Sequence, residues 1–415
     1  MENTSQTIVI GAGIIGINCA IGLQKRGRRV VIVDRESDTL GASYGNAGAF
    51  AFSDIMPLAA PGIMRKAPKW LLDPLGPLSI PPRYALQIAP WMLRFWRASW
   101  RDRVEASTAA QTALMDFSRS CLMAQIKAAD AGHLLRHEGQ LQLYQSAAEF
   151  NASLPAWQAR ARHGIPFRHL QSAEEIAAIQ PGISPEFCAA SFTPEWHNIV
   201  DPAAYMQHLI TLFRQAGGEI RRAKITALAQ HDTGVSLTTA TGQTLQAKDV
   251  VVASGAWSRD LARSIGDRIP LETERGYNTT LPAGAFDLRT HLTFGGHGFV
   301  VTRIGDGIRV GGAVELGGLN LPPNYKRAKV LLDKAQRFLP GLKETGGEQW
   351  MGFRPSLPDS LPVIGRSPGN TRITYAFGHG HLGLTQSSGT GELVADLVTQ
   401  RATAIDVTAF RPDRF

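Results

Sequence analysis

Cysteine is scarce in this chain of 415 residues, and the three present, Cys19, Cys121 and Cys188, lie far apart with no CxxC pair. Their odd number and scattered spacing argue against a disulfide framework and against a zinc site, so no metal is expected. A reducing, cytoplasmic setting follows as the default. Hydrophobic runs are short as well. The most apolar early stretch, Ile8 to Leu23, falls below the roughly 20 residues that a membrane span needs. Gly11, Gly13, Gly16 and Gly22 interrupt it and no basic stretch precedes it, so it reads neither as a span nor as a signal peptide. Runs of about five or more lysines and arginines are missing, as is any recognised RNA module, so the net charge of +8 is not taken as a sign of nucleic-acid binding. The 42 glycines and 24 prolines show no low-complexity clustering. A 44% hydrophobic and 19% charged composition is that of a globular protein, and the length suggests two domains.

What is present begins at Thr7. Thr7–Ile10 are apolar or β-branched and read as a buried parallel strand. Gly11-Ala12-Gly13-Ile14-Ile15-Gly16 follow directly, then an apolar helical stretch to about Arg26 with Gly27 as its stop. Arg29–Val33 read as a second strand, ending at Asp34. Gly11 permits the tight strand-to-helix turn, Gly13 lets backbone approach a pyrophosphate, and Gly16 lets the helix pack close to the strand. The helix N-terminus presents N–H groups and a positive dipole end to phosphates, and Asp34 offers an acceptor to a ribose hydroxyl. Strand, glycines, helix, strand and acid together specify a dinucleotide site without choosing between flavin and nicotinamide.

Three later segments bear on that choice. In Gly41–Gly48, small residues let backbone and the Ser43 and Asn46 side chains lie against a pyrophosphate or an isoalloxazine edge. Asp249–Val252 read as a buried strand running into the Gly255 turn, preceded by strand-like Glu219–Leu228 and Val235–Thr239 with Thr241-Gly242 as a hairpin turn. Phe377–Thr385 is a glycine loop leading into a small-residue helix from about Ser387 to Val398. Its N–H groups can face the O2/N1 region of a flavin, where negative charge develops on reduction.

These segments, in this order, resemble the D-amino acid oxidase superfamily of FAD-dependent oxidoreductases, particularly its bacterial D-amino acid dehydrogenase branch. The resemblance is carried by the N-terminal fingerprint, Ser43–Gly48, Pro77-Leu78-Ser79-Ile80, Asp201-Pro202, Glu274-Arg275-Gly276-Tyr277, Gly352-Phe353-Arg354-Pro355, Pro358–Gly365 and Gly378–Thr385. It implies an α/β fold in which a Rossmann-type, glutathione-reductase-like FAD domain (1–55, 195–265, 345–415) is interleaved with an α+β substrate domain on an antiparallel sheet (56–194, 266–344). FAD contacts are then expected from Gly11, Ala12, Gly13, Ile14, Ile15 and Gly16, from Asp34 and Arg35, and from Ser43, Asn46, Ala47 and Gly48. Further contacts are expected from Ile225, Gly255 and Trp257, and from Gly380, His381, Leu382, Gly383, Leu384 and Thr385.

A flavin amine dehydrogenase must hold an amine with its α-hydrogen over flavin N5 and exclude water. A carboxylate anchor positions it, and arginine suits best because its planar fork bonds both oxygens. Arg354 is the expected anchor, in the motif where the resembling family places one; the alternative is a pair with Asp359. Tyr277 is expected to donate to the same carboxylate, Arg275 to be structural, and His379 and Tyr44 to line the substrate pocket. The resemblance implies hydride transfer from Cα of a small amino acid, D-alanine, D-proline or hydroxyproline in type, with electrons passed to a quinone or other carrier. A peroxide-producing oxidase, glycine or sarcosine oxidase-like, is the near alternative, and a tRNA-modifying FAD enzyme a more distant one. Met64–Trp100 mixes Arg and Lys with Trp70, Trp91, Phe95, Trp96 and Trp100. Helix packing under an active-site roof explains it, and so does peripheral contact with the inner face of the plasma membrane.

Overall fold

The computed structural model describes residues 6–36, 41–63, 76 and 78–415; Pro77 and most of the aromatic–basic stretch before it lie outside the described residues. The apolar runs form a six-stranded sheet in the order Glu219–Arg222, Val30–Asp34, Thr7–Ile10, Asp249–Val252, Asn370–Phe377, Val363–Ser367. All neighbours are parallel except the last pair. Thr7–Ile10 lies centrally, Ile10 pairing with Val33 on one side and Val252 on the other, so Gly11 opens into the crevice beyond the strand ends.

Ile14–Lys25 and Gly383–Val398 form helices that cross at Gly22 and Gly391, where a Cβ would meet the other helix's backbone at 2.7 Å and 2.5 Å. Arg26 then bonds Glu392 (2.8 Å) and Asp396 (2.7 Å), tying the two ends of the chain together. Asp201 caps the helix Pro202–Gln215 by accepting from Ala203 N at 2.6 Å, as its Asp-Pro start implies. The single strand read over Glu219–Leu228 is two. Glu219–Arg222 joins the six-stranded sheet, while Ile225–His231 pairs with Gly234–Thr239 in a separate three-stranded sheet. The chain changes partners at Ala223, whose N–H still bonds Asp34 O, and Lys224, whose carbonyl already accepts from Ala240 N.

A second, nine-stranded sheet runs Glu348–Ser356, Glu272–Leu281, Gly307–Glu315, Phe299–Ile304, His291–Phe294, Gln140–Tyr144, Ala189–Thr193, Arg168–Leu170, with Leu78–Ser79 beside Gly307–Glu315. It is mixed, not purely antiparallel: His291–Phe294 runs parallel to Gln140–Tyr144, and Leu78–Ser79 parallel to Gly307–Glu315. These joins link strands far apart in sequence, where no hairpin imposes reversal. Side chains alternate across the sheet. One face packs Leu141, Leu292, Phe299, Val301, Ile308 and Val310 against the helix Lys326–Phe338. The other carries Arg354, Glu274, Asn278, Arg309, Thr302, His291 and Gln142 and faces the six-stranded sheet's crevice. Glu348–Ser356, within the 345–415 piece, belongs to this sheet, and the chain returns through a bridge between Ser356 and His379. Among the described residues, no helix is long and apolar enough to cross a membrane.

Candidate active site

Between the two sheets lies a cavity of about 1500 Å³, larger than the roughly 300–1,000 Å³ of a drug-sized site. At its dinucleotide end the glycines separate by role. Gly11 has φ +111°, and a Cβ there would stand 2.4 Å from Ala253 O; one on Gly16 would stand 1.9 Å from Gly11 O. The fold itself requires both. Gly13 differs, since its Cβ would meet only Ser43 Oγ at 3.5 Å, an ordinary contact. The room before Gly13 belongs to the cavity, which is what a pyrophosphate against the backbone needs.

Ser43 Oγ accepts from Ile14 N (2.9 Å), and Asp34 accepts from Ala12 N (2.7 Å) and Glu36 N (2.9 Å). Asp34 retains lone pairs for a ribose. Arg35 stacks 3.5 Å from the Trp257 ring centroid and, with Ile225 and Gly255, walls this end. Ile14, Ile15, Ala47, Gly380, His381, Gly383 and Leu384 line the cavity as expected from sequence.

Other sequence-expected residues do not face it. Ala12 spends its N–H on Asp34, and Gly16 lies beneath the turn. Gly48, at φ +64°, packs on Ile199 and Ile304. Leu382 is buried in the core of the six-stranded sheet, and Thr385 is spent on Ala51 N (3.0 Å) and Ala49 O (3.3 Å). Tyr44 is 44% exposed, its carbonyl instead accepting from Arg309. Asn46 lines the cavity, but its amide is closed on its own loop, through Ser43 O (2.6 Å) and Gly48 N (2.7 Å). What holds that loop was missed in the sequence: Arg309 donates to Asn46 O (2.6 Å), and Asn278 to Gly45 O (2.8 Å). Period-two polar positions in Glu274–Asn278 and Arg309–Ala313 were the available signal.

At the other end, Arg354 is half-buried in the cavity wall and lies across Gly276, where a Cβ would come within 2.2 Å of Nη2. Its Nη1 donates to Ala313 O at 2.9 Å. Asp359, the alternative partner, is taken by Arg414 at 2.7 Å. Burial draws the Arg354 pKa down and the charge of nearby Glu274 opposes the shift. Tyr277 lines the cavity with its ring, but its hydroxyl donates to Glu315 (2.5 Å) and accepts from Asn324 N (3.0 Å). Burial, with Glu315 against the Asn324 N–H, pushes its pKa up to about 12. The expected donation from Tyr277 to substrate is therefore replaced by an internal bond. Arg275 clamps the carbonyls of Gly318, Leu321 and Pro322, fixing the loop that borders the cavity.

His379 faces the cavity fully buried, with Nε2 3.0 Å from Thr390 Oγ1, and burial pushes its pKa down to about 3. A group so hard to protonate is no base at neutral pH. His381 bonds Asp54 at 3.1 Å. Burial also drives His291, on the same cavity wall, to about 3. Unfolded histidine titrates near 6.5, so the unfolded chain binds the extra protons below that pH. Stability is therefore lost as pH falls from about 6.5 toward about 3, by up to about 1.4 kcal/mol per pH unit for each histidine. Thermal melts across this range should show the decline, and His379→Asn should make it shallower.

The model of the DAO family, described as FAD dependent oxidoreductase, matches residues 6–397. D-amino-acid oxidase of Bradyrhizobium diazoefficiens is 35% identical, covering 100% of both chains. D-amino acid dehydrogenase of Paramagnetospirillum magneticum is 33% identical over 99% of each. Among solved structures, glycine oxidase from Geobacillus kaustophilus superposes with a TM-score of 0.78 at 22% identity, covering 99% of this chain and 98% of that one. L-proline dehydrogenase from P. horikoshii gives 0.77 at 20% identity, covering 100% and 98%. These two share the fold.

Proposed function

This chain belongs to the DAO family of FAD-dependent oxidoreductases, and from that premise we propose that it oxidatively deaminates a small D-amino acid. The observation that carries the reading is Arg354, a half-buried guanidinium in the cavity wall with no ion-pair partner among the described residues. It holds the substrate carboxylate. Gly13, Ser43, Asp34 and the Gly380–Gly383 loop are the residues that would hold FAD, and the gap before Gly13 fits its pyrophosphate. When bound, FAD supplies the hydride acceptor. The Gly317–Leu321 loop, with Trp91 and Phe95, keeps water from the amine. The imino acid product is hydrolysed by water to a keto acid and ammonia, or stays cyclic for a proline-type substrate. Reduction of an artificial electron acceptor by a D-amino acid, with keto acid and ammonia in equal amounts or with a cyclic imine from a proline-type substrate, tests the reading; no acceptor reduction by any amino acid would overturn it.

The favoured natural acceptor is a membrane quinone. The helix Ala85–Ala98 puts Trp91, Met92 and Phe95 on the cavity wall. Leu86 (91% exposed), Leu93 (64%) and Trp96 (47%), spaced seven and three apart, share its outer face with Arg83 and Arg94 exposed nearby. An apolar stripe edged by arginine suits an anionic membrane surface. The double variant Leu93→Asp/Trp96→Asp should lose about 3 kcal/mol of membrane affinity, about 100-fold in partitioning. Sedimentation with phosphatidylglycerol vesicles reads this, with turnover of the dissolved enzyme preserved. The oxidase reading is favoured by the name of the 35% identical relative, and stoichiometric hydrogen peroxide during turnover would select it.

A further inference from the structure

The large sheet turns two opposite charges into one end of the cavity. Glu274 and Arg354 are register partners on adjacent antiparallel strands, and both line the cavity. Directly opposed side chains in such a pair share a face, with Cβ atoms about 5 Å apart. Yet they do not close on each other. No ion pair within 4.0 Å joins them, and Arg354 donates to Ala313 O instead. Glu274 is only 5% exposed and has no hydrogen-bond or ion-pair partner among the described residues. What remains open to it is the cavity it lines, where a cation carried in by a ligand would supply the partner that the protein does not.

We infer that Glu274 receives the ammonium group of the substrate, one proton passing to its carboxylate before the hydride leaves Cα, while Arg354 holds the substrate carboxylate, so that the pair selects the zwitterion of an α-amino acid. The inference rests on the amino-acid reading above and adds a second fixed point to it. In an α-amino acid both charged groups sit on one carbon, which neighbouring opposite charges on one sheet face can span. With nitrogen and carboxylate both fixed, exchanging enantiomers exchanges the hydrogen and the side chain. Only one enantiomer then turns its Cα–H toward the cofactor. Arg354 alone leaves the molecule free to rotate about its carboxylate and gives no such selection.

The test uses the flavin-loaded full chain and two unreactive ligands without an α-hydrogen on an aminated carbon: 2-aminoisobutyrate, and isobutyrate, which lacks the ammonium. Binding is read as a perturbation of the flavin spectrum. The wild type should bind 2-aminoisobutyrate about 10- to 100-fold more tightly, the worth of a hydrogen bond to a charged group. In Glu274→Gln, which keeps shape and removes charge, the two should bind alike, flavin should be retained, and KM for the D-amino acid substrate should rise by a similar factor. Arg354→Lys should weaken both ligands. Equal affinities in the wild type overturn the proposal without needing any variant. An active Glu274→Gln enzyme with unchanged KM overturns it too, as does loss of flavin, which would assign Glu274 to the cofactor. A wild-type flavin that no amino acid reduces overturns the amino-acid reading and this proposal together, so the two failures are distinguishable.

Discussion

Arg354→Ala should give a folded, yellow protein whose kcat/KM for its amino acid is down about 30- to 5000-fold. Truncating one member of a buried, hydrogen-bonded charge pair costs about 2–5 kcal/mol, and each 1.36 kcal/mol is tenfold in rate. The loss should fall mainly on KM if the guanidinium holds ground state and transition state alike. It should fall on kcat as well if a loosely held carboxylate lets the Cα–H wander from its acceptor. The fold should survive, because the variant empties the space over Gly276 toward the cavity and breaks only the bond to Ala313 O. Steady-state kinetics with flavin content measured in parallel read both parts. Unchanged kinetics would remove Arg354 from the substrate's path.

Gly13→Val should abolish FAD loading while the chain still folds. A Cβ at Gly13 meets nothing of the protein closer than 3.5 Å, so the added methyls project where the pyrophosphate must approach. Gly16→Ala provides the contrast, since its Cβ would stand 1.9 Å from Gly11 O. That variant should lose stability itself, by the 1–3 kcal/mol or more of overpacking. Visible absorbance after reconstitution with FAD, set beside circular dichroism, separates the outcomes. A yellow Gly13→Val protein would show that the glycine serves the fold and not the ligand.

Where a structural requirement is local, the sequence displays it. A strand, a positive-φ glycine, a helix start and an acid lie within about thirty residues of one another in the dinucleotide unit, and the fold there is as read. The Asp201-Pro202 helix start was equally legible, because cap and first turn are adjacent. What depends on register was hidden. Tyr277 gives its hydroxyl to Glu315 across a bulged strand pair, and nothing near either residue announces that partner. Asn46 closes its own loop, while Arg309, far along the chain, holds the backbone that Asn46 was expected to offer. Tyr44, beside the small residues Ser43 and Gly45, turns outward. The parallel join of His291–Phe294 to Gln140–Tyr144 likewise links segments that no turn connects. Glu274 lies within the Glu274–Tyr277 motif, but its meaning emerges only once the register sets it opposite Arg354.

The central claim is tested most directly by mixing the oxidised, flavin-loaded protein with D- and L-enantiomers of alanine and proline in the absence of oxygen and following the colour. At least one D-enantiomer should bleach the flavin promptly, its L-enantiomer should do so far more slowly, and Arg354→Ala should bleach slowly with either. A flavin that stays yellow with every amino acid, or a protein that remains colourless and takes up no FAD, would contradict the account.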